Sequence, residues 1–219
     1  MNTRLKDLVS KGASELGIGL SDEQLEKFSL YAEELRKWNR KFNLTSITRE
    51  SDIAVKHFAD SLTLLQVIGI NGSLLDIGSG GGFPSIPVKI TLPMLRVVSV
   101  DAVEKKILFQ RHMARVLGLD NFFPIHCRCE ELTAEYAESF DWIVSRAFTD
   151  IVAFARLALP FLRDGGRIIA MKGSRGKEEA AAAIPALAEA GVAISDVMEI
   201  KLPVTGDQRS LVVMKKLSQ

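Results

Sequence analysis

The chain has 219 residues, of which 47% are hydrophobic and 25% charged, and its formal net charge is +1. That length suits one large domain, or one domain with an extension, and a charge so near zero excludes a protein that is basic overall while leaving local patches open. No apolar run of about 18 residues occurs, so no membrane span or membrane partner is expected; the opening Met1-Asn2-Thr3-Arg4-Leu5-Lys6-Asp7 lacks the apolar core of a signal peptide, and the expected compartment is the cytoplasm.

Residues 1–20 read as a short helix closed by the Gly17-Ile18-Gly19 turn. Ser21-Asp22-Glu23-Gln24 has the form of a capping box with acids in the first turn. Leu25, Phe28, Ala32, Leu35, Trp38 and Phe42 then recur at three- and four-residue steps, the apolar stripe of a long helix that docks on the domain C-terminal to it. Its end is basic: Arg36, Lys37, Arg40, Lys41 and Arg49 occur with no acid between Glu34 and Glu50. A solvated helix end, where cations suit the dipole, and a set of phosphate contacts are both open readings. Asn43-Leu44-Thr45 breaks the helix. A second helical stretch over about 52–68 carries His57-Phe58-Ala59-Asp60-Ser61-Leu62, and Asn71-Gly72 turns the chain into a first strand. Residues 1–70 are therefore expected to be a helical extension, and 71–219 the main domain.

That domain opens on Leu74-Leu75-Asp76-Ile77, followed by Gly78-Ser79-Gly80-Gly81-Gly82-Phe83-Pro84. A buried strand, a glycine turn and a proline suited to a first helical turn make the start of a nucleotide-binding α/β fold, where backbone can approach a ligand closely. The dinucleotide fingerprint G-x-G-x-x-G fails: counted from Gly78, Phe83 stands on its last glycine, and counted from Gly80, Ser85 does. What remains, Asp76-x-Gly78-x-Gly80-x-Gly82, resembles the first motif of S-adenosylmethionine-dependent methyltransferases.

A helix is predicted over about 84–91, then the strand Arg96-Val97-Val98-Ser99-Val100 ending at Asp101, an acid placed to meet ribose hydroxyls. Residues 104–117 form a helix with Ile107, Leu108, Met113 and Leu117 inward. Strands come next at 122–126, 141–145 and, after Gly165-Gly166, 167–171, with helices at 150–162 and 177–190. Two final strands, 193–201 and 210–215, read as a hairpin. The fold class is α/β: a doubly wound, mostly parallel seven-stranded sheet of Rossmann-like type with an N-terminal helical extension. Ligands in such sheets sit beyond the carboxyl ends of the strands. Those ends supply Asp76 to Gly82, Asp101, Cys129-Glu130, Ser145-Arg146 and Lys172-Gly173. Cys127 and Cys129, the only cysteines, close too short a loop for ordinary disulfide geometry, and with His126 they fall short of a zinc ligand set.

Taken together, these pieces resemble a specific family, the bacterial small-subunit (16S) ribosomal RNA guanine-N7 methyltransferases, also called the glucose-inhibited division protein B family. The resemblance runs through Asn43-Leu44-Thr45, His57 with Asp60-Ser61-Leu62, the glycine loop to Pro84, and Asp101 with Lys105-Lys106. It continues through Arg128 with Glu130-Glu131, Val144-Ser145-Arg146-Ala147, Gly165-Gly166, Lys172-Gly173 and Arg209-Ser210-Leu211-Val212-Val213. Ser85 stands where the family usually has glycine, Cys129 where a small apolar residue is usual, and the segment from Thr133 to Ser139 is somewhat long. The resemblance implies S-adenosylmethionine as cofactor, with contacts at Gly78, Phe83, Cys129, Glu130 and Arg146. To these the loop itself adds Asp76 and Gly80, and the second strand adds Asp101. For RNA it leaves Arg36, Lys37, Arg40 and Lys41 on the long helix, Lys172 at the cleft edge, and Arg209 in the closing motif.

The implied chemistry needs no acid–base pair, because guanine N7 offers an in-plane lone pair with no proton to remove. In-line displacement asks only for alignment and exclusion of water, and alignment of this kind is worth about 7–11 kcal/mol of barrier. A thiol-dependent carbon methylation would need a thiolate near the base, and the Asn/Asp-Pro-Pro-aromatic signature of amino methylation is absent, Ser145-Arg146-Ala147-Phe148 standing in its place. The expected partner is 16S ribosomal RNA or a small-subunit precursor, with no DNA and a monomeric enzyme. A small-molecule methyltransferase, which would not need the basic segment, and an RNA-binding assembly protein are the alternatives.

Overall fold

β1 (Ser73–Ile77) is buried along its whole length and stands third in a seven-stranded sheet, next to the middle strand. In the computed structural model, which describes residues 3–132, 134–146, 148 and 150–217, the strand order is β3-β2-β1-β4-β5-β7-β6. Met1, Asn2, Thr133 and Ala147 of the motifs above lie outside the described residues. β2 (Arg96–Asp101), β3 (Phe122–His126), β4 (Phe140–Ser145) and β5 (Leu162–Lys172) join β1 in parallel pairs. β7 (Gln208–Lys216) enters antiparallel between β5 and β6 (Val192–Lys201), as a terminal hairpin must when its second strand is inserted. The order reverses between β1 and β4, the switch point at which such sheets open a crevice.

The period-two alternation of strand side chains divides the core. Leu74, Val97, Val144, Ile169 and Leu211 face one side, where α1 (Thr3–Glu15), α2 (Asp22–Phe42) and α6 (Glu104–Leu117) pack. Their neighbours Leu75, Val98, Ile143, Ile168 and Val212 face the other, under α7 (Ile151–Ala158) and α8 (Gly176–Glu189). The first core includes Phe28, Tyr31 and Leu35 of α2 together with Leu74 and Phe83, so the helical extension shares its apolar interior with the sheet.

Several local expectations shift. The capping box forms, Ser21 Oγ accepting from Gln24 N and Gln24 Oε1 from Ser21 N. α6 turns Leu108 to solvent and buries Phe109 and Gln110 in its place. β5 begins five residues earlier than expected: Phe140 pairs with Leu162 and Trp142 with Arg167, so the extra residues bulge through Gly165, whose φ of 77° allows the bend. The proline of the glycine loop sits one residue ahead of α5 (Ser85–Thr91), after a cis Phe83–Pro84 bond.

The second helical stretch is the largest departure. It runs as a short α3 (Glu50–Asp52), a π-helix over Ile53–Ala59, α4 (Asp60–Leu62) and a 3₁₀ turn over Thr63–Gln66. π-helical turns are rare and concentrate at functional sites. This one carries Lys56, His57 and, at its end, Asp60.

Candidate active site

The glycine loop is fixed from three sides. Gly78 and Ser79 donate to Val100 O at 2.8 and 3.1 Å. The buried Gln110 amide donates to Ser79 Oγ and Gly80 O, both at 2.8 Å, and the Tyr31 hydroxyl of α2 donates to Gly81 O at 2.6 Å. Gly80 has a φ of 58°, and a Cβ there would meet nothing within 4 Å, so its backbone fronts open space. Its N–H is held by Asp101 Oδ2 at 2.8 Å, while Asp101 Oδ1 accepts from Val103 N at 2.9 Å and Lys106 Nζ stands 3.6 Å away. Asp101 therefore ties the end of β2 to the loop after β1, with a second lone pair left on each oxygen.

Beside the loop, a cavity of about 230 Å³ is walled by Gly78, Asp101, Cys127, Cys129 and Glu130 among others. Four of the residues expected to meet the cofactor, Gly78, Asp101, Cys129 and Glu130, thus come together. Burial, with the charges of Glu130 and Cys127 behind it, pushes the Cys129 thiol up to about 12, and burial and Glu131 raise Cys127. Neither sulfur is a thiolate at neutral pH.

Asp76 lies beneath the loop, fully buried. Its Oδ2 accepts from Ser85 N at 3.2 Å, whereas its Oδ1 and the Ser85 hydroxyl have no hydrogen-bond partner among the described residues. Burial raises the carboxyl from its ordinary range to about 7, against the lowering pull of Ser85 and Arg146. Phe83 keeps its backbone in the loop, its N–H donating to Ser79 O at 2.9 Å, and turns its side chain into the core. Its ring is buried, stacked on His57 at 4.1 Å and on Tyr31 at 5.2 Å.

A second cavity, of about 440 Å³, opens beyond the ends of β4 and β5 and the start of β7. Arg146, Lys172 and Arg209 line it, with Asp60 and His57 from the π-helical stretch. Arg146 donates to Asp60 Oδ2 at 3.2 Å, to Lys56 O at 3.1 Å and to His57 Nδ1 at 3.1 Å. Arg209 Nε donates to the other oxygen of Asp60 at 2.6 Å. Lys172 pairs with Glu179 at 2.6 Å and donates to Phe148 O at 3.3 Å. Burial and the adjacent Arg146 charge depress the imidazole of His57 to about 3, so it stays neutral and accepts at Nδ1. Its Nε2 lies 2.9 Å from Thr45 Oγ1. The side chain of Arg146, a residue expected at the cofactor, belongs to this cavity.

The two cavities flank one line. Asp76 and Val144 are paired, Ser145 Oγ donates to Ile77 O at 2.7 Å, and just past these strand ends Gly78 lines the first cavity and Arg146 the second.

The basic end of α2 lies next to the second cavity, sharing Ile47 as a wall with the hollow that holds Arg36 and Arg40. The acids bounding the segment reach back into it. Glu50 pairs with Arg36, and Glu34 takes Lys37 at 3.1 Å and His112 at 2.6 Å. Arg40 and Lys41 are exposed and make no ion pair among the described residues. A larger hollow of about 570 Å³ between α1, α2 and α6 is lined by no strand-end residue among the described residues and is rich in glutamate, unsuited to a nucleotide.

Reading the sequence left out His57, Asp60, Gln110 and Tyr31 as site residues. His57 and Asp60 stood inside a quoted motif, which was the available signal. Gln110 and Tyr31 look like any residue of an amphipathic helix until the loop is brought against them.

Sheet order, terminal hairpin and glycine loop define the Rossmann-like methyltransferase fold. A SAM dependent methyltransferase from Aquifex aeolicus matches with a TM-score of 0.61 at 16% identity, over 78% of this chain and 96% of that one. The chain belongs to the family described as rRNA small subunit methyltransferase G (GidB), whose pattern matches residues 24–212. A protein of that name from Geobacter metallireducens is 58% identical over the whole of both chains, and one from Geotalea uraniireducens is 56% identical, again over the whole of both.

Proposed function

We propose that the protein transfers a methyl group from S-adenosylmethionine to N7 of a guanine in 16S ribosomal RNA, by in-line displacement without a covalent enzyme intermediate. The observation that carries the reading is the pair of cavities on either side of the β1 and β4 ends, one suited to a nucleoside and the other lined by cations, in a chain of this family.

The residues fit the cofactor. The buried Asp76 Oδ1, without a partner among the described residues, suits an ammonium group, and Asp101, with a lone pair to spare on each oxygen, suits ribose hydroxyls. Gly78 and Gly80 give backbone access, and Cys129 and Glu130 give a wall for the adenine. When bound, the cofactor supplies a methyl group already activated on a sulfonium. The protein's own contribution is to hold the acceptor in line and keep water out. His57 is neutral and fully engaged by Arg146 and Thr45, so it serves the position of Arg146 and not proton transfer. Arg40, in the hollow that adjoins the second cavity, and Lys41, next to it in the chain, meet RNA phosphates, and Lys172 and Arg209 meet the target nucleotide. A cytoplasmic monomer acting on RNA or a small-subunit precursor is consistent with this arrangement, and no described helix is long and apolar enough to cross a membrane.

The test is incubation with labelled S-adenosylmethionine and 16S ribosomal RNA or small subunits, then mapping of the methylated base. Label at N7 of one guanine is expected; label on carbon, on an amino group or on none of the RNA overturns the reading. The variant carrying Cys127→Ser and Cys129→Ala should keep most of the activity, because neither thiol ionises. Complete loss in a folded, cofactor-binding variant would restore a covalent route.

A further inference from the structure

Asp60 is the one carboxylate among the described residues lining the second cavity. It is nearly buried, with 8% of its side chain exposed, and it is held from both sides: Arg209 on Oδ1 and Arg146 on Oδ2. A carboxylate offers about four lone-pair sites, and these two bonds use one on each oxygen. The other groups around it are donors or are spent. Arg146, Arg209 and Lys172 only donate, Nδ1 of His57 is taken by Arg146, and the Thr63 hydroxyl donates to Asp60 O at 2.6 Å. The cavity thus presents a fixed pair of carboxylate oxygens in a field of cations.

Among the RNA bases only guanine carries two adjacent donors, N1–H and the 2-amino group, on its Watson–Crick edge, and they match the two oxygens of a carboxylate. Adenine, cytosine and uracil each put at least one acceptor or a lone donor there. The opposite edge of guanine carries N7, and O6 between the two edges accepts from a guanidinium or an ammonium. An unpaired base is read in this way, by the edge it no longer uses for pairing. We propose that Asp60 selects the target guanine by accepting N1–H and the 2-amino group, with Arg146 and Arg209 holding its carboxylate for the purpose. The inference rests on the guanine-N7 reading above. It explains why two arginines, one just past β4 and one on β7, converge on one acid in the wall of a cavity wide enough for a nucleotide.

The experiment compares RNA carrying guanine at the mapped position with RNA carrying inosine there. Inosine lacks only the 2-amino group and keeps N7. Wild-type enzyme is expected to prefer guanine in kcat/KM by about tenfold to a hundredfold. Asp60→Asn should lower activity on guanine and bring the two substrates within about threefold of each other, since the amide cannot accept both donors. Asp60→Glu keeps the charge for both arginines but moves the carboxylate by one methylene, and should also compress the ratio if the asparagine variant fails to fold. Equal use of guanine and inosine by the wild type overturns the proposal. So does a ratio that survives both substitutions while activity on both RNAs falls together, the signature of a merely structural acid. If wild-type enzyme does not methylate guanine N7 at all, the functional reading falls and this inference with it; methylation with an unmoved ratio sinks the inference alone.

Discussion

Asp76 shows how much one buried side chain decides. In an unfolded chain its carboxyl ionises near the ordinary value of about 4, and in the fold only near about 7, because burial strips its solvation. Between those values the unfolded chain has released a proton that the folded one keeps. Stability therefore falls as pH rises across that window and levels off above it; below it both states are protonated and the group contributes nothing. Asp76→Asn removes the titration. Without cofactor, its melting temperature should gain on that of the wild type between pH 5 and pH 8, and a difference independent of pH would show that Asp76 is ionised throughout. Ser85, the departure from the family pattern, bears on the same residue: its backbone N–H reaches Asp76 Oδ2, which a glycine would supply equally.

At the scale of elements, α2 joins two tasks. Its buried face clamps the glycine loop through Tyr31, and its last two turns carry the basic cluster. The four cations of those turns are not equivalent. Arg36 and Lys37 are answered by Glu50 and Glu34, while Arg40 and Lys41 make no ion pair among the described residues. Each phosphate neutralised contributes about 0.9 to the slope of log affinity against log salt. Replacing Arg40 and Lys41 with Gln should flatten the slope for ribosomal RNA by roughly two units, and adding Arg36→Gln and Lys37→Gln should change it little more. Cofactor affinity, measured in parallel by calorimetry, should hold. An unchanged slope in the double variant would leave the cluster as a solvated helix end.

For the molecule as a whole, the question is whether residues 1–70 are an appendage. We propose that they are an extension in sequence only. Phe28, Tyr31, Leu35 and Phe58 are buried in the same cluster as Leu74, Phe83 and Val97, and each large apolar side chain of this kind stabilises by about 1.5–3 kcal/mol when buried. Residues 71–219 expressed alone would expose that face as one continuous apolar patch, and they should aggregate or fail to melt cooperatively. A soluble, cooperatively melting fragment that binds S-adenosylmethionine would show that the two parts are separate domains.

The sequence by itself determined the α/β class, the number of strands, the terminal hairpin and the glycine loop, because these arise from local periodicity, turn residues and a contiguous motif. Burial on both faces writes β1 as a short run that is apolar apart from Ser73 and Asp76, and a tight turn writes its glycines into adjacent positions. It also brought Gly78, Asp101, Cys129 and Glu130 onto one short list, since strand ends on one edge of a parallel sheet must converge. Only the tertiary structure decided that the Arg146 side chain faces Asp60 and Arg209 across the second cavity, that Phe83 stacks on His57 inside the core, and that half of the basic segment is answered by acids. Those outcomes depend on which helix face meets which strand end over separations of up to 149 residues, as for Asp60 and Arg209. The wide π-helical turn that aims His57 and Asp60 likewise has no local signature: its apolar and polar residues keep a pattern that an α-helix would carry equally well, and contact with Arg146 and the sheet is what distinguishes the two.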